Sequence, residues 1–374
     1  MGKITPRIHD LVGCLNTLFP PELAEEWDNV GLQVGDPAIP FSKGVVALDP
    51  DMGAVLAACE AGAQVLITHH PLLFRSLKRL TPEDETGRIL FHAIQNNLVI
   101  LSAHTNLDSA QPGLNSWLAD LLDVHNTSPL KLSPGHLLKL VVYVPAGHET
   151  EVADALFAAG AGHVGQYDQC SFRQPGTGTF RPGEDSSPFI GEIGRCEEVN
   201  EFRLEVIVPR SRLNKVLSRL LKVHPYEEVA YDLIPLENKR NDVGLGRVGR
   251  LENTLSLQEF SERVRQKLGC DTLRVVGSAE QSVRKIALCG GSGASLISTA
   301  HRCGADVLVT GDIKYHEAKT AEALGIALVD AGHFATEVLM TGHLTQLLND
   351  AAEQNGWEAT FQAYDGAIDP FRTV

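Results

Sequence analysis

The chain has 374 residues, 43% of them hydrophobic and 21% charged, with a formal net charge of −15. That length allows two or three domains with substantial cores, and the composition is that of an ordinary globular protein. No apolar run reaches the ~20 residues of a membrane span, so no membrane contact is expected, and the acidic balance makes a nucleic-acid surface unlike this chain while leaving room for a small anionic ligand. The N-terminal stretch MGKITPRIHDLVGC has no signal-peptide apolar core or small-residue cleavage site. Seven scattered cysteines without a CxxC pair point to reduced thiols in a cytoplasmic protein, not to a disulfide framework or thiolate zinc site.

In chain order, EEWDNVGLQVGD (25–36) reads as a Gly-punctuated loop in which Asp28 and Asn29 either line a cleft or sit in a surface turn. GVVALD (44–49) is a strand, MGAVLAACEAG (52–62) a helix, QVLITHH (64–70) a strand, RILFHAIQNN (88–97) a helix and LVILSAH (98–104) a strand. One helix is expected over NLDSAQPGLNSWLADLL (106–122). This βαβαβα rhythm predicts a mostly parallel sheet covered on its faces by helices. Residues 136–236 break it: LKLVVYVP and ETEVADALFAAG, then CSFRQPGTGTF, EFRLEVIVP, SRLNKVLSRLLKV and VAYDLIPL read as βαββαβ, a ferredoxin-like α+β insert. NKRNDVGLGRVG (238–249), rich in Gly and charge, reads as the return linker. The α/β rhythm then resumes with KIALCGG, SLISTAHRCG, DVLVTG, HEAKTAEALG, IALVDAGH and ATEVLMTGHLTQLL.

The two α/β parts look like a duplication: GAQVLITHH (62–70) lies over GADVLVTGD (304–312), and AHTNLD (103–108) over GHFATE (332–337). The fold class expected is therefore a duplicated α/β domain, its halves at 1–135 and 237–374, with the insert at 136–236 between them. Each half carries a His at a strand end and a carboxylate four residues on, His104 with Asp108 and His333 with Glu337. On a helical turn such pairs share a face. His69 and His70 close a strand, where alternation relaxes and both rings can turn into the crevice at the carboxyl ends of the strands. His69, His70, His104, Asp108, His333 and Glu337 thus form a candidate ligand set of imidazoles and carboxylates, suited to zinc, manganese, iron or cobalt. They exceed the three or four protein ligands of one zinc ion and suit two bridged cations. Taken singly, each histidine is explained as well by a core edge or a cap. GGSGAS (290–295) either holds a phosphate or makes a tight βα turn. In TGDIKYHEA (310–318), Asp312 and His316 are candidate outer partners or proton donors, and helix capping accounts for Asp312 equally well.

WDNVGLQVGD, THHPLLF, AHTNLDSA, GDIKYHEA and DAGHFATE, in this order, resemble the Nif-three-like family, whose members are called GTP cyclohydrolase 1 type 2 homologs. GHVGQYDQCSFRQPGTGTFRP and HPYEEVAYDLIPLEN resemble the PII/CutA-like middle domain of its long bacterial form. The resemblance covers essentially the whole chain. It implies two divalent metal ions per chain, zinc first among the candidates, held by His69, His70, Asp108, His333 and Glu337. Glu337 would bridge, His70 and Asp108 would serve one ion, and His69 and His333 the other, with His104 close by. It further implies a ring-shaped homohexamer, a trimer of dimers, with its sites facing an internal cavity.

The activity expected is that of a metal-dependent hydrolase in which an activated water attacks an electrophilic carbon and His104 or His316 moves protons. The family name points to the guanine ring of GTP or a related nucleotide as substrate. The absence of cysteine from the ligand set departs from the zinc-thiolate sites common in base-modifying hydrolases. The alternative is a non-enzymatic metal-storage, metallochaperone or regulatory hexamer whose insert senses a small ligand.

Overall fold

A computed structural model describes residues 4–134 and 136–372; the first three residues and the expected boundary at 135 lie outside it. The chain divides into two compact units, residues 1–133 with 240–374, and residues 134–239. Among the described residues no helix is long and apolar enough to cross a membrane.

The first unit opens with α1 (Ile8–Leu18), β1 (Gly31–Val34), β2 (Lys43–Ala47), α2 (Met52–Glu60), β3 (Val65–Thr68) and α3 (Glu85–Gln95). β4 (Val99–Ser102), α4 (Thr105–Ser109), α5 (Leu114–Leu121) and β5 (His125–Pro134) lead to the second unit. That unit contains β6 (Leu137–Pro145), α6 (Glu149–Ala158), β7 (Ser171–Phe180), β8 (Glu197–Pro209), α7 (Leu213–Val223) and β9 (Tyr231–Leu236). β10 (Lys239–Ser256), α8 (Leu257–Leu268), β11 (Arg274–Val276), β12 (Ser282–Ser292) and α9 (Ile297–Arg302) return to the first unit. It ends with β13 (Val307–Gly311), α10 (Tyr315–Leu324), β14 (Ala327–Asp330), α11 (His333–Glu337), α12 (Met340–Gln354) and β15 (Thr360–Ala363).

Three sheets result, in the orders β1-β4-β3-β2-β15, β11-β14-β13-β12-β10-β5 and β7-β8-β6-β9. In the first, β2, β3 and β4 run parallel and β1 pairs antiparallel with β4. In the second, β12, β13 and β14 run parallel and β11 pairs antiparallel with β14. The third is antiparallel throughout.

Strand β3 shows why its sequence is an unbroken apolar run. Val65 and Ile67 enter one core with Leu11, Phe19 and Met340, while Leu66 on the other face joins Val45, Val55 and Ile89. Both faces are covered, so alternation has no polar side, and each fully buried aliphatic contributes ~1.5–3 kcal/mol. β13 repeats this, with Val307 and Val309 in one core and Leu308 in another.

Three sequence expectations are corrected. GLQV is not loop but the edge strand β1. The helix expected over 106–122 is two, α4 and α5, because Pro112 has no N–H to donate and a Cβ at position 113 would stand 2.3 Å from the Leu107 carbonyl oxygen. The expected linker 238–249 lies, from Lys239 onward, in the long strand β10. Its glycines answer crowding, not flexibility: a Cβ at Gly244 would stand 2.2 Å from the Lys131 oxygen, and one at Gly249 2.6 Å from the His125 oxygen, both on β5.

Arg247 of β10 is 1% exposed and donates through Nη2 to the Ala110 oxygen at 2.8 Å and to Gln111 Oε1 at 2.7 Å. It thereby pins the turn that separates α4 from α5. Arg247→Ala is expected to destabilise the protein by about 3 kcal/mol, because it leaves a cavity and a buried carbonyl without its donor. Chemical denaturation reads this directly; a loss below about 1 kcal/mol would mean that water replaces the guanidinium.

Candidate metal centre

Four histidines stand at carboxyl ends of strands in the first unit. After β3 the chain turns so that the N–H groups of both His69 and His70 point at the Leu48 oxygen, at 3.2 and 3.0 Å. Thr68 Oγ1 donates to the His70 oxygen at 2.7 Å and closes the turn. This is how two adjacent rings reach one crevice. His104 follows β4 and precedes α4, which carries Asp108 one turn on, its N–H bonded to the His104 oxygen at 3.1 Å. His333 and Glu337 are the two ends of the single turn α11.

Every one of these rings is held at Nδ1: His69 by the Ala103 oxygen at 2.9 Å, His70 by Asp49 Oδ1 at 2.7 Å, His104 by Asp28 Oδ1 at 2.9 Å and His333 by Asp312 Oδ2 at 2.7 Å. Such partners fix the tautomer with the proton on Nδ1 and leave Nε2 with a lone pair. Those Nε2 atoms converge. That of His69 is 3.6 Å from Asp108 Oδ1 and 3.7 Å from Glu337 Oε1. Those of His70 and His333 lie 3.1 and 3.0 Å from Glu337 Oε2 and 3.4 Å from each other. The nitrogens of His69, His70 and His104 gather within 4.8 Å of one another, as do the ligand atoms of His70, His333 and Glu337.

The grouping by distance differs from the one the family resemblance implies. His69 keeps company with Asp108 and Glu337 Oε1, while His70 joins His333 at Glu337 Oε2. The anchors explain it, since Ala103 draws His69 toward β4 and Asp49 draws His70 toward β2. His316 does not belong to the gathered set; it is exposed on the first turn of α10, its ring edge-on to Tyr315. Asp312 takes the outer position, in a left-handed conformation at φ 60° that a non-glycine residue adopts only when its surroundings impose it. Asp28, placed by the sequence in a loop, also accepts from the Thr105 N–H at 3.0 Å. Burial opposes its charge, but the hydrogen bonds from His104 and Thr105 hold its carboxyl down at about 2. Asp49 was missed, although it follows β2 as His70 follows β3, and a search of every strand end would have found it.

GGSGAS is a packing turn. The N–H groups of Gly290, Gly291 and Gly293 are taken by Asn115 Oδ1, Thr336 Oγ1 and Thr310 Oγ1 at 2.8, 2.9 and 2.8 Å, which leaves them no phosphate to bind. At Gly291 (φ 60°) a Cβ would stand 2.1 Å from Glu337 Oε1, so glycine makes room for the carboxylate.

The chemistry of the set fits cations. His69, Asp108 and Glu337 are 0%, 8% and 3% exposed, and His69 Nε2, Asp108 Oδ1 and Glu337 Oε2 are buried without a hydrogen-bond partner. A lone pair of His70 or His333 aimed at a carboxylate oxygen 3 Å away is repelled unless a proton or a metal ion lies between. Asp28, Asp49, Asp108, Asp312 and Glu337 carry more charge than neutral imidazoles balance. The nearby Cys289 thiol is pushed up by burial and by Asp108 and Glu337, so a thiolate takes no part.

Protons fill the cation's place in the metal-free chain. Burial opposes charge on His70, yet Asp49 and Glu337 push it up to about 10. Contact with Glu337 and Asp312, against burial, lifts His333 to about 9. Both rings must then lose a proton to offer a lone pair, and metal affinity rises with pH up to that range. Metal uptake at pH 7 is expected to release about two protons per chain, read by calorimetry in buffers of different ionisation heat. A heat independent of buffer would mean that the rings are neutral beforehand. A second expectation concerns Asp312→Asn, which should weaken metal binding ~10–100-fold with the fold intact, as loss of a histidine's outer partner does elsewhere.

Fold and site together define a mixed α/β protein of three sheets with a histidine–glutamate group able to hold a metal ion. The model of the family Duf34/NIF3 (NGG1p interacting factor 3) matches residues 6–370, and the chain belongs to that family. A Bacillus subtilis protein called GTP cyclohydrolase 1 type 2 homolog is 42% identical over 337 residues, 88% of this chain and 90% of the relative. One of the same name from Halalkalibacterium halodurans is 42% identical over 356 residues, 95% of each chain. Among solved structures, the Bacillus cereus protein related to NIF3 superposes with a TM-score of 0.86 at 40% identity, covering 99% of this chain and 100% of that one. Staphylococcus aureus SA1388 gives 0.80 at 30% identity, covering 99% of each.

Proposed function

We propose that this protein is a metal-dependent hydrolase with a dinuclear centre. One divalent cation would sit among His69, Asp108 and Glu337 Oε1, with His104 beside them, and a second among His70, His333 and Glu337 Oε2. The observation that carries the reading is the common anchoring of all four rings at Nδ1, with the Nε2 atoms of His69, His70 and His333 directed at the Asp108 and Glu337 carboxylates. Two histidine-bound divalent ions, zinc first and manganese, iron or cobalt after it, supply Lewis acidity and a water of lowered pKa when bound.

The chain's own residues do the rest. Asp49, Asp312 and Asp28 retain the Nδ1 protons and so keep the rings fixed as donors of electron pairs. Glu337 spreads one negative charge over two positions and reduces the repulsion between them. His104, its ring 5.1 Å from that of His69 and 5.5 Å from that of His70, is placed to carry a proton through Nε2 while Asp28 steadies the imidazolium. The exposed His316 is left with, at most, a contact to arriving substrate. The substrate class is a nucleotide, GTP or a relative, on the strength of what the relatives are called.

The assembly and architecture that go with this reading are a ring-shaped homohexamer, a duplicated α/β domain and a PII/CutA-like insert, in a cytoplasmic protein. Duplication is supported by the matching orders β1-β4-β3-β2 and β11-β14-β13-β12, each with one antiparallel edge. The insert reading is supported by its β-α-β-β-α-β order and the sheet β7-β8-β6-β9. The cysteines are free thiols, as in a reducing compartment.

Metal-reconstituted protein, with metal-free protein as control, is expected to turn over GTP, another nucleotide or a phosphoester. Fully loaded protein inert to all of them would favour metal storage or regulation instead. Glu337→Gln is expected to lower metal content by more than one ion's share in elemental analysis, because an amide cannot balance two cations. His333→Ala should remove mainly one ion. Two ions retained at unchanged affinity in Glu337→Gln would sink the bridged centre.

A further inference from the structure

The second unit carries a half-open cavity of about 580 Å³, within the ~300–1,000 Å³ of small-molecule sites. Its floor is the face of the antiparallel sheet turned away from the helices: Tyr143 of β6, Gln174 and Gly176 of β7, and Glu201 and Arg203 of β8. One wall is Phe180 with the turn that carries Tyr226, and the cover is the segment 182–190. The cover is fastened: the Ser187 N–H donates to Glu227 Oε1 at 2.8 Å, and the Phe189 ring stands edge-on to His148 with centroids 5.6 Å apart.

Three aromatic rings meet here, Tyr226 lying 5.9 Å from Phe180 and 6.4 Å from Phe189. The Tyr226 backbone is set by His224, which is buried, accepts from the Tyr226 N–H through Nδ1 at 3.1 Å and bonds the Tyr143 oxygen through Nε2 at 3.0 Å. The Tyr226 hydroxyl donates to Glu201 Oε1 at 2.9 Å. Burial and that carboxylate both raise the phenol, so it stays a donor. The other oxygen of Glu201 lies 2.1 Å from where a Cβ at Gly178 would stand. Glycine at 178 thus admits the carboxylate to the cavity edge. Of the charged lining residues, Glu201, Glu227 and Glu228 outnumber Arg203, whose Nη2 is bound to Glu205 at 3.0 Å while its buried Nε has no protein partner.

We propose that this cavity is a binding site for a planar, amino-bearing heterocycle, neutral or cationic and without phosphate. Its ring would stack among Tyr226, Phe180 and Phe189, where a cationic ring gains from the aromatic faces, and its amino groups would donate to Glu201 and its acidic neighbours. The acidic excess rejects phosphates. The site is separate from the metal centre, none of whose residues line it, and it stands whether or not the hydrolase reading does.

Proflavine, a planar fluorescent diamino cation, is the probe, titrated against the full-length, metal-loaded protein and followed by anisotropy. One saturable site per chain is expected, displaced by adenosine at least tenfold more effectively than by ATP. Tyr226→Ala and Gly178→Val should each weaken binding at least tenfold, the second without removing any aromatic group. Phe172→Ala, on β7 but outside the cavity, should leave it unchanged. If Tyr226→Ala does not fold, Glu201→Gln takes its place. Absence of saturable binding, wild-type affinity in the folded cavity variants, or displacement by ATP as strong as by adenosine would each overturn the proposal.

Discussion

The constraint on which the rest depends is the burial of the Glu337 carboxylate, 3% exposed, beneath three imidazoles. An isolated buried carboxylate is unaffordable, so it must be neutralised or given positive company. Burial pushes its pKa upward, but His69, His333 and His70 outweigh that and hold it well below the ordinary carboxylate range. It stays ionised, while burial first and then Glu337 itself push the Asp108 carboxyl well above the ordinary carboxylate range. One charge has therefore decided the state of its neighbours. It has also decided backbone: the glycine at 291 exists to leave it space, and Thr336 beside it holds the Gly291 N–H.

Around that charge the molecule is stiff. The strands that end at the centre have cores on both faces, which leaves β3 and β13 little freedom to shift. The rings they carry are held again by the outer carboxylates, and Asn115 ties α4 to β12 by accepting from the Gly290 N–H and donating to the Asp108 oxygen. Sites built on regular elements are held more precisely than sites on loops. The unusual backbone at Asp312 belongs to the same economy: local strain is accepted where it aims a carboxylate at His333.

Much of this was legible in the sequence, because the inner residues come as patterns. Two adjacent histidines after an apolar run, and two His-x3-carboxylate pairs at strand ends, are local signals that period and position expose. The outer carboxylates are not local in that sense. Asp49 reaches His70 across 21 residues and Asp28 reaches His104 across 76, and a lone aspartate looks alike whether it caps, turns or orients a ring. His316 shows the converse difficulty, since a histidine near a motif reads as a proton carrier while its exposed helical position sets it apart from the gathered rings. The glycines of β10 misled for a physical reason as well. Glycine marks both freedom and crowding, and only the neighbouring strand tells which. The cavity of the second unit was beyond reading, because its walls come from segments that meet only through sheet pairing.

That crowding at Gly244 and Gly249 means that β5 and β10 lie side by side, and these are the strands by which the chain leaves for the second unit and returns. To the sheet, the whole segment 134–239 is a hairpin connection that happens to be a folded body. The entropy of closing a loop grows only with the logarithm of its length, ~0.6 kcal/mol for each doubling, so the sheet is nearly indifferent to what its hairpin holds. Selection can therefore enlarge, trade or discard the body on the hairpin while the residues of the candidate metal centre keep their positions, and the two units are free to change on separate timetables.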